Sequence, residues 1–548
     1  MGEQRVATVD DFKQLMFTVG RIIEDSIFVY HYMLVMTMDR VLRDLRRAFV
    51  VHVLEGNLLD VLKSAEQLRA ALQRTLTLLE ANRAETSTAH ATVMQTNGQT
   101  ETECCRFTLS ADANAASIMM NIHDELSGIR KDLAFAGIVA ELATEHEREL
   151  RAQDEHSMRL QKCVIARFPA FIGEFVRAHL SEHSYETERR AVREMFARMM
   201  SVGGKPNFIT DWDGTMKTYS SQYMTCMQPA TDAVVMCLFA RHCTRLAAVL
   251  TAGPLTQPGI LDLTAVPEHH WLLFGGSWGR EWWLPDGRVV DEHNITADSR
   301  SALTRFAEAM RGLLSVRSLA RSRSSEEASS SSSSAGASQR SFNQFAMVGS
   351  GFQRKVDRIS LGVQSVSGQV TAEQREHYVT AVKALMLEND PTGEYFTLHE
   401  DERDVEVCVK LQQQQQQQQQ HAAVDENNSA AANHARDQQQ HKQCAPLPPT
   451  AMWNKALGVE FLVRTLRIDL ADGALLICGD TASDVPMLEY AVQCNAKATF
   501  AIFVNASAAV VQAVSALLPA ERVCFVSTPS VIHAGMADTL SRGVYETL

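Results

Sequence analysis

From residue 207 onward the chain carries short apolar runs separated by longer amphipathic stretches. The runs are Phe208-Ile209-Thr210, Leu246 to Leu250, Ala474 to Cys478, Phe500 to Val504 and Val523 to Ser527. Runs this short and this apolar are buried on both faces, and both faces are covered where helices cross over a parallel sheet. The pattern predicts an α/β fold built on a parallel sheet. It also predicts where chemistry belongs, because ligands bind outside the carboxyl ends of parallel strands.

Four of these strand ends carry unusual residues. Phe208-Ile209-Thr210 runs into Asp211-Trp212-Asp213-Gly214-Thr215. Two carboxylates one residue apart at a buried strand end are costly unless a cation or a reaction needs them. The first can attack phosphorus, and the second can protonate a leaving oxygen and then activate water. Leu246 to Leu250 ends in Thr251-Ala252-Gly253, a hydroxyl and a flexible turn suited to cradling a phosphate. Lys455 opens an amphipathic stretch, where its ammonium can face a phosphoryl group. Leu475-Leu476-Ile477-Cys478-Gly479 runs into Asp480 and, four residues later, Asp484, hard oxygen ligands that suit Mg²⁺.

The order Asp pair, Thr, Lys, Asp pair resembles the motif set of the haloacid-dehalogenase-like phosphohydrolases. The resemblance implies a Rossmann-like core in which Asp211 is the nucleophile, Asp213 the general acid and base, and Thr251 and Lys455 phosphoryl ligands. It implies Mg²⁺ held by Asp211, the backbone carbonyl of Asp213, Asp480 and Asp484. Spacing locates a substrate-choosing insert: Thr251 and Lys455 are far more widely separated than a crossover requires. The expected division is a core of 206–272 and 450–548 with an α+β cap of 273–449. Two low-complexity loops interrupt that cap, one Ser-rich at about 322–341, the other at about 411–449 with an unbroken run from Gln412 to Gln420. Neither composition can bury enough apolar surface to fold alone.

Finer blocks narrow the resemblance. Leu250 to Leu255, Gly275 to Trp283, Val348 to Arg358, Trp453 to Glu460 and Ile477 to Met487 look like nematode-type trehalose-6-phosphate phosphatases. In that family a Gly-x-x-Gly-x-Glu segment, a lysine strand and a later glutamate of the cap grip the sugar. These correspond to Glu281, Lys355 and Glu406, with Arg280 and Arg358 beside them. A disaccharide offers hydroxyls, so carboxylates and cations are fitting readers. Phosphatases of other sugar phosphates remain an alternative. So does a partner-docking scaffold with a phosphatase-like core.

The first two hundred residues read differently. Apolar residues recur at helical spacing through residues 9–84, with a break at Gly56-Asn57. Residues 85–112 read as a linker. Ile118, Ile122, Leu126, Ile129 and Leu133 then suggest a helical hairpin or coiled coil over 113–200. The family resemblance likens residues 1–84 to a microtubule-interacting-and-transport fold. No ligand-spaced cluster appears there, so the expectation is a module for packing, partner docking or self-association. A net charge of -13 over 548 residues argues against a nucleic-acid binder. Eleven cysteines without a CxxC pair fit a reducing compartment, no apolar run is long enough to span a bilayer, and Met1 to Phe12 is unlike a secretory signal. A cytoplasmic enzyme is the resulting expectation.

Overall fold

The computed structural model describes residues 27–81, 104–108, 117–121, 123–149, 156–177, 180–219, 227–256, 259–268, 271–314, 342, 345–346, 350–363, 370–401, 404–411 and 452–543. The helical start expected from residue 9, the Ser-rich segment and the glutamine run lie outside these residues.

Helices α1 (Ile27–Glu55) and α2 (Leu58–Ala81) are separated at the expected Gly56-Asn57 break. Asn57 stops one helix and starts the next, its Oδ1 accepting the amide of Asp60 at 2.9 Å. Val61, Ala65, Leu68 and Leu72 recur every three to four residues along α2 and are fully buried. The expected linker and hairpin are corrected. Strand β1 (Cys104–Thr108) falls inside the former, and Ile118 belongs to strand β2 (Ser117–Asn121), paired antiparallel with β1. A short apolar run such as Ser-Ile-Met-Met-Asn fits either period, and its distant partner decides. Three helices follow rather than two: α3 (His123–Glu149), α4 (His156–Val176) and α5 (Glu182–Met200).

The α/β part then begins. Strands β3 (Asn207–Thr210), β4 (Leu246–Leu250), β5 (Leu273–Gly276), β6 (Glu281–Leu284) and β7 (Gly287–Val290) join β12 (Leu475–Gly479), β13 (Thr499–Val504) and β14 (Val523–Val526) in one sheet of order β14-β13-β12-β3-β4-β5-β6-β7. The run from β14 to β5 is parallel, and β5, β6 and β7 form an antiparallel edge. Helices α6 (Ala230–Cys243), α9 (Lys455–Leu466), α10 (Val485–Cys494), α11 (Ala508–Leu517) and α12 (Pro529–Gly543) cover its faces, with α7 (Ala297–Leu314) and α8 (Ala372–Asn389) assigned to the insert. The insert's own antiparallel sheet has the order β10-β11-β9-β8, from β8 (Phe352–Arg354), β9 (Arg358–Gly362), β10 (Phe396–Glu400) and β11 (Asp404–Val409). Its core joins Phe306 and Met310 of α7 and Tyr378 and Val382 of α8 to Ile359, Leu361, Val405 and Val407. The insert therefore starts after β7, later than residue 273, because Ala248 of β4 pairs with Leu273 and the chain continues in the large sheet.

The helical region does not keep a core of its own. One apolar cluster runs from Phe49 and Leu68 through Ile165 and Phe196 to Phe208 and Phe239 beneath the large sheet. The Phe196 and Phe239 rings lie 5.3 Å apart. Buried charges cross the same boundary. Asp132 of α3 accepts Nε of Arg46 at 2.7 Å, the amides of Ala230 and Thr231 at 3.1 and 3.2 Å, and the Thr231 hydroxyl at 2.9 Å. The start of α6, preceded by Pro229 with no capping side chain, is thus capped from the helical region. Among the described residues, Cys163, Cys237, Cys243, Cys408, Cys478 and Cys524 are free thiols. Among the described residues no helix is long and apolar enough to cross a membrane.

Candidate active site

Strand β3 lies between β12 and β4, so their carboxyl ends are neighbours. Asp211 leaves β3 with its amide donating to the Cys478 carbonyl of β12 at 2.9 Å. Thr251 leaves β4, and Asp480 leaves β12. Lys455 is the first residue of α9, whose N-cap Asn454 accepts the Leu457 amide. Topology alone brings the four motifs to one point.

The Nζ of Lys455 lies 2.5 Å from Oδ1 of Asp211 and 2.5 Å from Oδ1 of Asp484. Oδ2 of Asp211 accepts the Thr215 hydroxyl at 2.9 Å. Asp484 is fully buried, and its Oδ2 accepts the amides of Asp480 and Thr481, each at 3.0 Å. One oxygen from each of Asp211, Asp480 and Asp484 falls within a 4.8 Å group that could hold a metal ion. The Asp213 side chain is outside that group and faces elsewhere: Nζ of Lys217 is 3.2 Å from its Oδ1, and the Thr251 hydroxyl is 3.4 Å from its Oδ2.

The electrostatics show too much negative charge for one lysine. Burial pushes the Asp211 carboxyl up to about 7, against the opposing pull of Lys455, and Asp484 adds to the rise. Burial and the two neighbouring carboxylates push Asp480 up to about 9. Asp484 is held below its usual range because Lys455 and two backbone amides outweigh its burial. Burial lowers the Lys455 ammonium less than Asp211 and Asp484 raise it. Space is as constrained as charge. Gly214 sits at φ 87°, and a Cβ there would lie 2.1 Å from Oδ2 of Asp480.

The candidate sugar-reading residues divide into two sets. Lys355, Arg358 and Glu406 converge in the insert: Glu406 accepts Lys355 at 3.0 Å, Arg358 at 3.1 Å and the Ser360 hydroxyl. Lys355 and Arg358 outweigh burial and hold the Glu406 carboxyl well below its usual range. Arg280 reaches this group from the large sheet, with Nε 3.4 Å from Asp357 and its guanidinium stacked 4.3 Å over Trp453. Glu281 is placed differently from the expectation. It lies on β6 of the large sheet, and its oxygens accept the Leu255 amide, the Ser277 hydroxyl and the Arg288 guanidinium. It braces the loop after Thr251 instead of standing in the insert.

Several contributors have no signature in the motif set. Asp357 pairs with both Arg280 and Arg358, and Trp453 and Trp278 provide ring faces to those cations. The Ser277 hydroxyl links the two sheets, accepting the Val356 amide at 3.3 Å. The Trp residues flanking Gly279 and Lys455 were the available signal, since aromatic faces beside basic residues form cation–π contacts.

Two family models match the chain. "Trehalose-6-phosphate phosphatase, C-terminal" covers residues 208–322 and 330–532. "Trehalose-6-phosphate phosphatase N-terminal helical bundle domain" covers residues 32–153. A trehalose-phosphatase of Caenorhabditis elegans is 36% identical over 425 residues, 77% of this chain and 81% of that one. A trehalose-phosphatase of Brugia malayi is 36% identical over 427 residues, 77% of this chain and 73% of its own. With its α/β core matched over most of its length and its helical region matched separately, the chain belongs to the trehalose-6-phosphate phosphatase family.

Proposed function

We propose that the chain hydrolyses trehalose-6-phosphate to trehalose and phosphate through a phospho-aspartate on Asp211. The observation that carries this is the pairing of Asp211 with Lys455 at the end of the central strand, with a second carboxylate, Asp213, held apart by Lys217 and Thr251. Asp211 attacks phosphorus as the bond to the sugar oxygen breaks, and Asp213 gives that oxygen a proton. Asp213 then takes a proton from the water that attacks the phospho-aspartate, and phosphate leaves. Lys455 and Thr251 supply a cation and a hydroxyl to the phosphoryl oxygens, where phosphoryl transfer needs stabilisation.

The donor set fits Mg²⁺. Three carboxylates share a 4.8 Å group with a single lysine between two of them, and burial together with Asp211 and Asp484 drives the Asp480 carboxyl up. Asp211, Asp480, Asp484 and the Asp213 carbonyl would hold the ion. When bound it would neutralise charge building on the phosphoryl group. Asp484 also accepts Lys455 on one oxygen and two amides on the other, which fixes its carboxylate beside Asp211 and Asp480.

The family assignment and the Lys355–Arg358–Glu406 cluster support a sugar as the leaving group. A substrate panel tests this. With Mg²⁺ the full chain should release phosphate from trehalose-6-phosphate and very little from sucrose-6-phosphate or glucose-6-phosphate. Equal turnover of all three would reject the substrate. Asp211→Asn should abolish turnover with the fold intact, and acid-quenched wild-type enzyme should carry labelled phosphate on the Asp211 peptide.

A further inference from the structure

The chain after Asp211 closes on itself. The Trp212 carbonyl accepts the amides of Thr215, Met216 and Lys217 at 3.3, 3.0 and 3.1 Å, and the Gly214 amide donates to the Lys217 carbonyl at 2.8 Å. This tight loop returns Lys217 alongside Asp213, with which it forms an isolated bridge. The Lys217 side chain is only 1% exposed, yet its Nζ stays 3.2 Å from Oδ1 of Asp213. The other oxygen of Asp213 faces the Thr251 hydroxyl. Each oxygen of that carboxylate therefore has a separate partner from a separate segment. A lysine is seldom so buried without partners, and besides Asp213 its Nζ donates to the Thr218 carbonyl at 3.4 Å.

We propose that Lys217 is a positioning residue for proton transfer by Asp213. It fixes one carboxylate oxygen and so turns the other toward Thr251 and the phosphoryl site between β3 and β4. The proton then moves from Asp213 to the sugar oxygen as the phosphorus–oxygen bond breaks, and Lys217 keeps its own proton throughout. This rests on the acid/base reading of Asp213. The ammonium also acts on the helical region: burial raises the Asp124 carboxyl at the start of α3, and Lys217 offsets part of that rise. The full chain is therefore the right material for the test.

Trehalose leaves poorly unless its oxygen is protonated, whereas p-nitrophenolate leaves without help. Lys217→Gln, Lys217→Arg and Asp213→Asn are compared on trehalose-6-phosphate and p-nitrophenyl phosphate, with circular dichroism and melting curves to confirm folding. Because phospho-aspartate hydrolysis is common to both substrates and enters kcat, the comparison is made in kcat/KM: Asp213→Asn should lose about 10²-fold or more on the sugar phosphate and much less on the aryl phosphate. Lys217→Gln should lose about 10- to 100-fold in kcat/KM on the sugar phosphate, the scale of a misplaced catalytic group, with kcat/KM on the aryl phosphate much less affected. Lys217→Arg should recover most of the loss, and Lys217→Met, which keeps the aliphatic stem without the charge, carries the comparison if the Gln variant does not fold. Equal losses of kcat/KM on both substrates for a folded Lys217 variant, or a wild-type kcat/KM on the sugar phosphate in Lys217→Gln, would overturn the role of Lys217. If Asp213→Asn itself shows no dependence on the leaving group, the acid/base reading falls and this inference with it.

Discussion

Lys455 holds Asp211 and Asp484 together, its Nζ 2.5 Å from one oxygen of each. The three side chains are buried, so a single ammonium offsets two carboxylates in a poorly solvated place. Lys455→Met should lower kcat by about 10²–10³-fold, the cost of removing one preorganised charge partner. Its melting temperature should fall as well, because two carboxylates lose their counter-charge. Lys455→Arg should rescue little, since a planar guanidinium cannot occupy the gap that a compact ammonium fills. Steady-state kinetics and thermal melts on both variants check this.

Gly214 makes the loop between the two aspartates fit. At φ 87° a side chain is strained, and a Cβ would press on Oδ2 of Asp480. Gly214→Ala should therefore abolish most turnover. Gly203 is the control: its φ is 98°, but nothing lies within 4 Å of a Cβ there. Gly203→Ala should cost about 1 kcal/mol of stability at a residue held in the left-handed region, and leave kcat unchanged. Comparable losses of activity in both would show that backbone strain, and not the clash with Asp480, is responsible.

The core motifs were legible because each is local. A buried strand, its terminal Asp or Thr and the following turn lie within eight residues, and sheet order does the rest. What the sequence could not show depends on distant pairing. Leu273 pairs with Ala248 and carries Glu281 into the large sheet, which nothing within residues 273–290 declares. Ile118 keeps helical spacing with Ile122 and Leu126, yet its segment pairs with residues 104–108. Asp132 caps a helix that begins nearly a hundred positions later. The shared core of the helical region and the α/β sheet was equally hidden, since an amphipathic helix shows that it has an apolar face but not what covers it.

Burial, with Asp211 and Asp484 beside it, pushes the Asp480 carboxyl up, which sets two opposite expectations. Without metal, Asp480→Asn should melt at a higher temperature than wild type at neutral pH, because the wild-type carboxyl must take up a proton on folding and Asn need not. With Mg²⁺, wild type should gain stability, about 2.7 kcal/mol at a hundredfold excess over Kd, and the variant should gain almost none. Differential scanning calorimetry with and without Mg²⁺ measures both. A variant that gains as much as wild type would remove Asp480 from the ion site.

Glu406 accepts Lys355, Arg358 and Ser360 at once, so its charge organises the insert's cluster. Glu406→Gln should raise KM for trehalose-6-phosphate about tenfold, the loss of one charge-assisted contact, and leave KM for p-nitrophenyl phosphate nearly unchanged. A parallel rise on both substrates would mean that the cluster only supports the insert's fold.

The last expectation concerns the boundary between the helical region and the sheet. Asp232 of α6 is 2.5 Å from Nζ of Lys131 on α3 and 3.3 Å from Nδ1 of His533 on α12. Burial alone would raise its carboxyl, but Lys131 and His533 outweigh burial and hold it well below its ordinary 3.8. The unfolded chain therefore takes up a proton on Asp232 at a higher pH than the folded chain does. Stability from this pair is fully present above the ordinary carboxylate range and is lost progressively as pH falls below it toward the depressed value of the folded chain. Asp232→Asn leaves Lys131 buried without its counter-ion and should cost about 3–5 kcal/mol at neutral pH. Toward about pH 3, where the wild-type contribution is itself being lost, the gap between wild type and variant should narrow. Urea unfolding of both proteins from pH 7 to pH 3 reads this directly, and a gap independent of pH would show that Asp232 contributes through packing and not through its charge.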